Sequence, residues 1–327
     1  FTMSAVGAPG EDKNGLATRQ YSTYELHYFA MWFLISLGTS IVIPESENLA
    51  KSLDRGPSWS GLLIGAPWTL ICVSNFWLLR PPSSYRLIRG IQLICMLGTG
   101  VASLLSALGA HPPESFQWDH KSRANLIMCV RLASGAFEVG SSFPYLLALK
   151  IMPYNHATVF QLLKGGFAQV AMSTGPYVGT VTGDLAGATH ADQRLALALW
   201  ALGGAWVIEL VFAWIMLPSE LDPLLHAMLE TYSSQSSDGK QPAAGSLLAQ
   251  RTAQMTLPQK AVWILGVAVS TLSCLLSCAL QAALPTIWQN EFGLGTSDHG
   301  LLMSAALATI AVFMPLLLKV RQWSDVP

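Results

Sequence analysis

The sequence predicts an all-α integral membrane protein, with a six-helix amino-terminal half, a long central loop and the first two helices of a second half. Three observations carry this prediction. The 327-residue chain is 52% hydrophobic but only 11% charged, less than half the usual share of Asp, Glu, Lys and Arg. Eight apolar runs, at approximately 27–50, 60–79, 88–109, 124–149, 158–182, 195–217, 261–285 and 300–318, approach the length a bilayer-crossing helix needs, about 20 residues at about 1.5 Å rise. The start of the chain also recurs after the central loop. Ile43-Pro44 is followed 17 residues later by Gly61-Leu62-Leu63-Ile64-Gly65-Ala66, and Leu284-Pro285 is followed 15 residues later by Gly300-Leu301-Leu302-Met303-Ser304-Ala305.

Taken in order, residues 1–26 are a polar segment expected on the cytoplasmic side. They lack a charged-then-apolar leader, so no cleavable signal peptide is expected. Residues 27–217 hold the six spans of the first half. Residues 218–260 form the central loop, in which Ser219–Thr231 reads as an amphipathic helix with Leu221, Leu224, Leu225 and Met228 on one side. Ser233–Gly245 is rich in Ser, Gln, Gly and Pro and reads as a flexible stretch. Residues 261–327 begin the second half, and both ends of the sequence look cut. With a cytoplasmic amino terminus, eleven Lys and Arg fall in inner segments and five in outer ones, which the positive-inside rule favours.

Composition also excludes several functions. A formal net charge of −1 gives no case for nucleic acid. All five cysteines (Cys72, Cys95, Cys129, Cys274 and Cys278) lie in apolar runs, which argues against a disulfide framework, and no Cys/His spacing suggests a metal site. No nucleotide-binding motif, nucleophile–base set or cofactor fingerprint occurs, so neither an enzyme nor a cofactor is expected. The expected surroundings are a lipid bilayer, a small-molecule substrate and protons, around a monomer.

Charge is concentrated where a membrane helix tolerates it least. The fourth run carries Arg131 and Glu138, seven residues apart and on one face with Gly135. Ionisable groups inside such segments usually face a protein interior or a water-filled cavity. Glu138, about 16 Å above the cytoplasmic end, is a candidate proton carrier. Burial disfavours its charged form and a nearby cation favours it, so rearrangement could move a proton on and off; a fixed ion pair, with Lys164 as one partner, is the structural alternative. Arg131 and Glu45 each lie about 27 Å from the inner face, so a Glu45–Arg131 pair is geometrically open, with Glu47 as a substitute. The competing placement puts Glu45 and Glu47 among the outer headgroups. Lys164 lies about 9 Å from the inner end and could meet a substrate anion or snorkel out; Glu209, at similar depth, could pair with a nearby cation. Lys164, Ala168, Ala171, Gly175 and Gly179 share one face of the fifth span, where small residues let another helix approach closely. A Gly-Pro within a membrane helix, here Gly175-Pro176, needs neighbouring helices to re-satisfy the freed backbone groups.

Two of these stretches resemble motifs of the major facilitator superfamily. Arg131-Leu132-Ala133-Ser134-Gly135, with Gly140 and Pro144 beyond, is similar to its fourth-helix motif. Gly175-Pro176-Tyr177-Val178-Gly179 resembles its fifth-helix Gly-Pro motif, with Thr180 and Ala171 standing where glycines are common. Leu79-Arg80-Pro81-Pro82-Ser83-Ser84-Tyr85-Arg86 keeps the basic character of the family's loop between the second and third helices but not its acidic residue. The resemblance implies twelve spans, of which eight are in this sequence. It also implies a secondary active transporter of a small polar or anionic solute, working by alternating access. Proton coupling, as symport or antiport, would fall to Arg131 and Glu138. The alternative is a non-transporting membrane receptor or scaffold on the same fold.

Overall fold

The computed structural model describes residues 13–75, 85–138, 154–217 and 220, with single positions between 257 and 308; within these, side chains are described except at 13–22, 69, 71–75, 154–159, 161 and 162. The regular elements among the described residues are all α-helical: α1 (Lys13–Ser40), α2 (Ser46–Ser52), α3 (Pro57–Asn75), α4 (Tyr85–Ala110), α5 (His120–Glu138), α6 (Tyr154–Leu185) and α7 (Ala191–Met216). The expected helix at Ser219–Thr231, the flexible Ser233–Gly245 stretch and most of the spans at 261–285 and 300–318 lie outside the described residues.

The first expected span, 27–50, is not a single helix. α1 stops at Ser40, a turn covers residues 41–45, and α2 follows. Pro44 accounts for the break. It has no N–H to continue the ladder, and its ring would collide with the carbonyl four residues earlier, that of Ser40. The Ser40 carbonyl instead accepts the N–H of Ile43 at 3.1 Å. The fifth expected span, 158–182, also begins earlier than expected, because α6 already starts at Tyr154.

Contacts fix the helix directions. Tyr28 stacks on Phe160 at 5.1 Å and Ser40 abuts Gly175, so α1 and α6 run parallel. Leu63 meets Arg131 and Pro67 meets Gly135, so α3 and α5 also run parallel. Gly98 faces Phe137 and Gly109 faces Ile127, which makes α4 and α5 antiparallel. Leu104 against Gly203 and Trp206 against Gly100 do the same for α4 and α7, as does Arg194 against Gly183 for α6 and α7. The six long helices therefore alternate in direction along the chain.

Two of them, α4 and α7, are long and apolar enough to cross a membrane by length and composition. On α4 polarity is distributed inside out, and α7 is apolar on its buried and exposed faces alike. On α4 the buried side includes Gln92, Thr99, Ser103 and Ser106, whereas Leu87, Ile94, Leu97, Val101 and Leu105 are exposed at helical spacing. On α7, Val207, Ile208, Val211, Phe212, Trp214 and Ile215 are all exposed, from 47% to 70%. Water would make such a continuous apolar face costly.

Arginines close the ends of this pair. Arg89 donates to the carbonyls of Trp214 at 3.1 Å and Leu217 at 3.3 Å, and its guanidinium lies 5.6 Å from the Trp214 ring centroid. Arg86 pairs beside it with Glu220. At the opposite end Arg123 donates to the carbonyls of Gly109, at 3.1 Å, and Ala110. The last carbonyls of a helix lack intrahelical donors, and these side chains supply them. Asp119 precedes α5, and its carboxylate, hydrogen-bonded to Ser122, is held below the ordinary aspartate value of 3.8.

Candidate functional site

Arg131 sits in the centre of the bundle, 5% exposed. Its position follows from two prolines on other helices. Pro67 has no N–H to offer the carbonyl four residues before it, that of Leu63, and Arg131 Nε donates to that oxygen at 3.5 Å. Gly38 lies in the last turn of α1, which Pro44 terminates, and Arg131 Nη1 donates to the Gly38 carbonyl at 3.2 Å. One guanidinium thus serves a carbonyl from each of two interrupted helices. Both acceptors are neutral, so neither cancels its charge.

Glu138 is the carboxylate that faces this charge. It is 7% exposed and interacts electrostatically with Arg131 two helical turns back along α5. Both side chains line a cavity of about 10 Å³ between α1, α4, α5 and α7, bordered also by Thr99, Ser103, Ser134 and Trp206. A single water needs about 10–15 Å³, so the cavity has room for one water and not for an organic solute. The surrounding hydroxyls donate to helix carbonyls: Thr99 to Cys95 at 2.9 Å, Ser103 to Thr99 at 3.0 Å and Ser134 to Arg131 at 2.8 Å. That leaves their oxygens as acceptors around the guanidinium, whose Nη2 has no hydrogen-bond partner among the described residues.

The other candidate charges are drawn elsewhere. Glu45 does not pair with Arg131. Its Oε1 lies 3.9 Å from Arg194 Nη1, and Glu47 Oε1 pairs with Lys51 at 2.8 Å. Arg131 meets α1 at Gly38, seven residues before Glu45, so even a straight helix would carry Glu45 about 10 Å past the guanidinium. Lys164 is not at Glu138 either, since its ammonium lies 4.0 Å from the centroid of Trp32 on α1. Glu209 is hydrogen-bonded to His27, Nδ1 to Oε1 at 2.7 Å, which ties α7 to α1. The supposed lower group of Glu138, Lys164 and Glu209 is therefore dispersed over three settings.

The glycines act through packing. A Cβ at Gly135 would stand 2.2 Å from the Pro67 carbonyl oxygen, one at Gly175 would stand 1.9 Å from Ser40 Oγ, and one at Gly179 would stand 2.6 Å from the Ile41 oxygen. Such approaches need a residue without a side chain. Pro176 frees backbone groups inside α6, and the N–H of Tyr177 donates to Ser304 Oγ at 3.2 Å, while Gly300 lies against the Pro176 carbonyl. A segment after the central loop thus supplies the re-satisfaction expected at the Gly-Pro step.

A second, larger cleft of about 650 Å³ opens at the end of the bundle that holds Arg194, with Glu45, Asn48, His111 and Asp192 among its walls. Asp192 accepts from Arg123 at 3.4 Å and lies 3.6 Å from His111. Arg194 pairs with Asp184 at 2.8 Å and donates from Nε to the Ala188 carbonyl at 3.0 Å. Apart from Glu45, sequence reasoning does not single out these groups, because they lie at span ends where charge is unremarkable. It also passes over the hydroxyl face of α4, although Thr99, Ser103 and Ser106 at i, i+4 and i+7 are a readable signal. No protein-family model, curated protein or solved structure matches this chain.

Proposed function

We propose that this chain is a multi-pass membrane protein, a secondary active transporter of a small polar or anionic solute that works by alternating access and is coupled to protons. The amino terminus is cytoplasmic, so that the Arg194 end faces outward. The reading rests on the resemblance of the Arg131 and Gly175-Pro176 stretches to the major facilitator superfamily. Alternating helix directions and the apolar outer faces of α4 and α7 support the bilayer setting.

One observation carries the coupling assignment: Arg131 and Glu138, both buried, share a cavity that fits one water and no solute. Such a site suits a proton. With Arg131 close by, the charged carboxylate is favoured; with Arg131 drawn away or the cavity dried, the neutral acid is favoured. A rocking motion that changes the Arg131–Glu138 relation would therefore bind and release a proton at Glu138. Arg131 holds two helices through the Leu63 and Gly38 carbonyls, so its movement is tied to theirs. The solute binds elsewhere, between the halves.

Uptake by proteoliposomes, with and without an imposed pH gradient, tests the proposal. Glu138→Gln should abolish gradient-driven uptake and leave solute exchange intact. Driven uptake at the level of the unmodified protein would remove Glu138 as the carrier.

A further inference from the structure

The cleft at the Arg194 end has no role in that scheme. We propose that it is a binding site for a small hydrophilic zwitterion, of which a polar α-amino acid is the simplest example. Its volume of about 650 Å³ falls within the range of about 300–1,000 Å³ typical of small-molecule sites. Of its nine lining residues only Ala191 is apolar by type, so polar and charged groups are at hand on every side and favour a hydrophilic occupant.

Opposite charges stand side by side in its wall, with Glu45 Oε1 and Arg194 Nη1 3.9 Å apart. Both are held in place by the protein itself. Glu45 is 1% exposed at the turn that Pro44 imposes, and Arg194 is fixed by Asp184 and the Ala188 carbonyl. A molecule carrying an ammonium and a carboxylate on one carbon matches that spacing, with the ammonium at Glu45 and the carboxylate at Arg194. An amine or an acid alone would leave one wall charge opposed by nothing on the ligand. Asn48 and His111 add neutral donors and acceptors for a polar side chain. This inference concerns binding alone and does not depend on the transport reading.

The test is equilibrium binding to the purified protein in nanodiscs, with no gradient. Three probes are compared: glutamine, the amine left by its decarboxylation, and the acid left by its deamination. Glutamine should bind at least about tenfold more tightly than either single-charge analogue, and Glu45→Gln should weaken glutamine by about tenfold or more. Glu220→Gln, an exposed change beside Arg86 at the opposite end of the bundle, should leave the affinity unaltered. Because Arg194 also holds Asp184, Arg194→Gln could unfold the protein; Asn48→Leu, which narrows the cleft, is the second variant, with folding checked by monodispersity. Equal affinity for the three probes, or unaltered glutamine binding in folded Glu45→Gln and Asn48→Leu proteins, overturns the proposal. Glutamine binding with no uptake of any solute in proteoliposomes would count against transport and leave the cleft assignment standing.

Discussion

Replacing Gly135 with Ala should be far more damaging than the same change at Gly166. At Gly135 the added Cβ would lie 2.2 Å from the Pro67 oxygen and 2.8 Å from both its carbonyl carbon and its Cα. Carbon–carbon contacts are comfortable at about 3.5–4.0 Å, and the obstacle is backbone, so no rotamer change relieves it. α3 would have to retreat by about 1 Å, and the Arg131 Nε to Leu63 oxygen bond, at 3.5 Å, has no slack to follow. Overpacking costs about 1–3 kcal/mol and loss of a hydrogen bond to a charged donor about 1.5–3 kcal/mol. Against these stands a helix-propensity gain of about 1 kcal/mol, for a net loss of about 1.5–5 kcal/mol. Spread over a chain of this size, that lowers the thermal midpoint by roughly 2–7 °C. At Gly166 an added Cβ would meet nothing within 4 Å, so Gly166→Ala should be neutral or slightly stabilising. Thermal unfolding of the two variants in one detergent decides the matter. Equal midpoints would refute the close α3–α5 contact and the support it gives Arg131.

Ser304→Ala removes the hydroxyl that accepts from the Tyr177 N–H, an exposed bond, and should cost about 0.5–1.5 kcal/mol. Ser304→Thr, which keeps the hydroxyl, should recover most of that loss in the same unfolding measurement. Asp119 supplies the remaining case, a pH dependence. Its carboxylate is held below 3.8 in the folded protein, so the stability it gives is present above that value and is lost as pH falls through the lower folded value. Asp119→Asn keeps a neutral cap and should lose less stability on acidification below about pH 4. Parallel acid-unfolding curves for the two proteins would refute the role assigned to this cap.

The central placement of Arg131 is legible in the sequence, but its partners are not. An arginine in an apolar run demands acceptors, and a proline leaves a carbonyl without a donor four residues before it. The sequence therefore contains both the demand, at Arg131, and two supplies, near Pro44 and Pro67. What it lacks is the pairing of helices, since nothing local says that α5 lies along α3 and across the end of α1. A carboxylate is the more obvious partner for a buried cation, and depth along a supposedly straight helix points to Glu45. That estimate fails in its register, because Arg131 meets α1 at Gly38, seven residues and about 10 Å short of Glu45. The glycines are legible as packing residues because close approach follows from their size, whichever helix approaches.

The same break explains why two sites lie in one bundle. By ending α1 at Ser40, Pro44 leaves the Gly38 carbonyl for Arg131 below the turn and swings Glu45 toward Arg194 above it. Below the turn, charge is enclosed with room for one water and for no organic solute. Above it, two opposite charges border a cleft some sixty times larger, at about 650 Å³ against about 10 Å³, and open to small polar molecules. The turn that Pro44 imposes therefore lies between an enclosed charge and an open cleft, and the proton and solute sites proposed above fall on opposite sides of it.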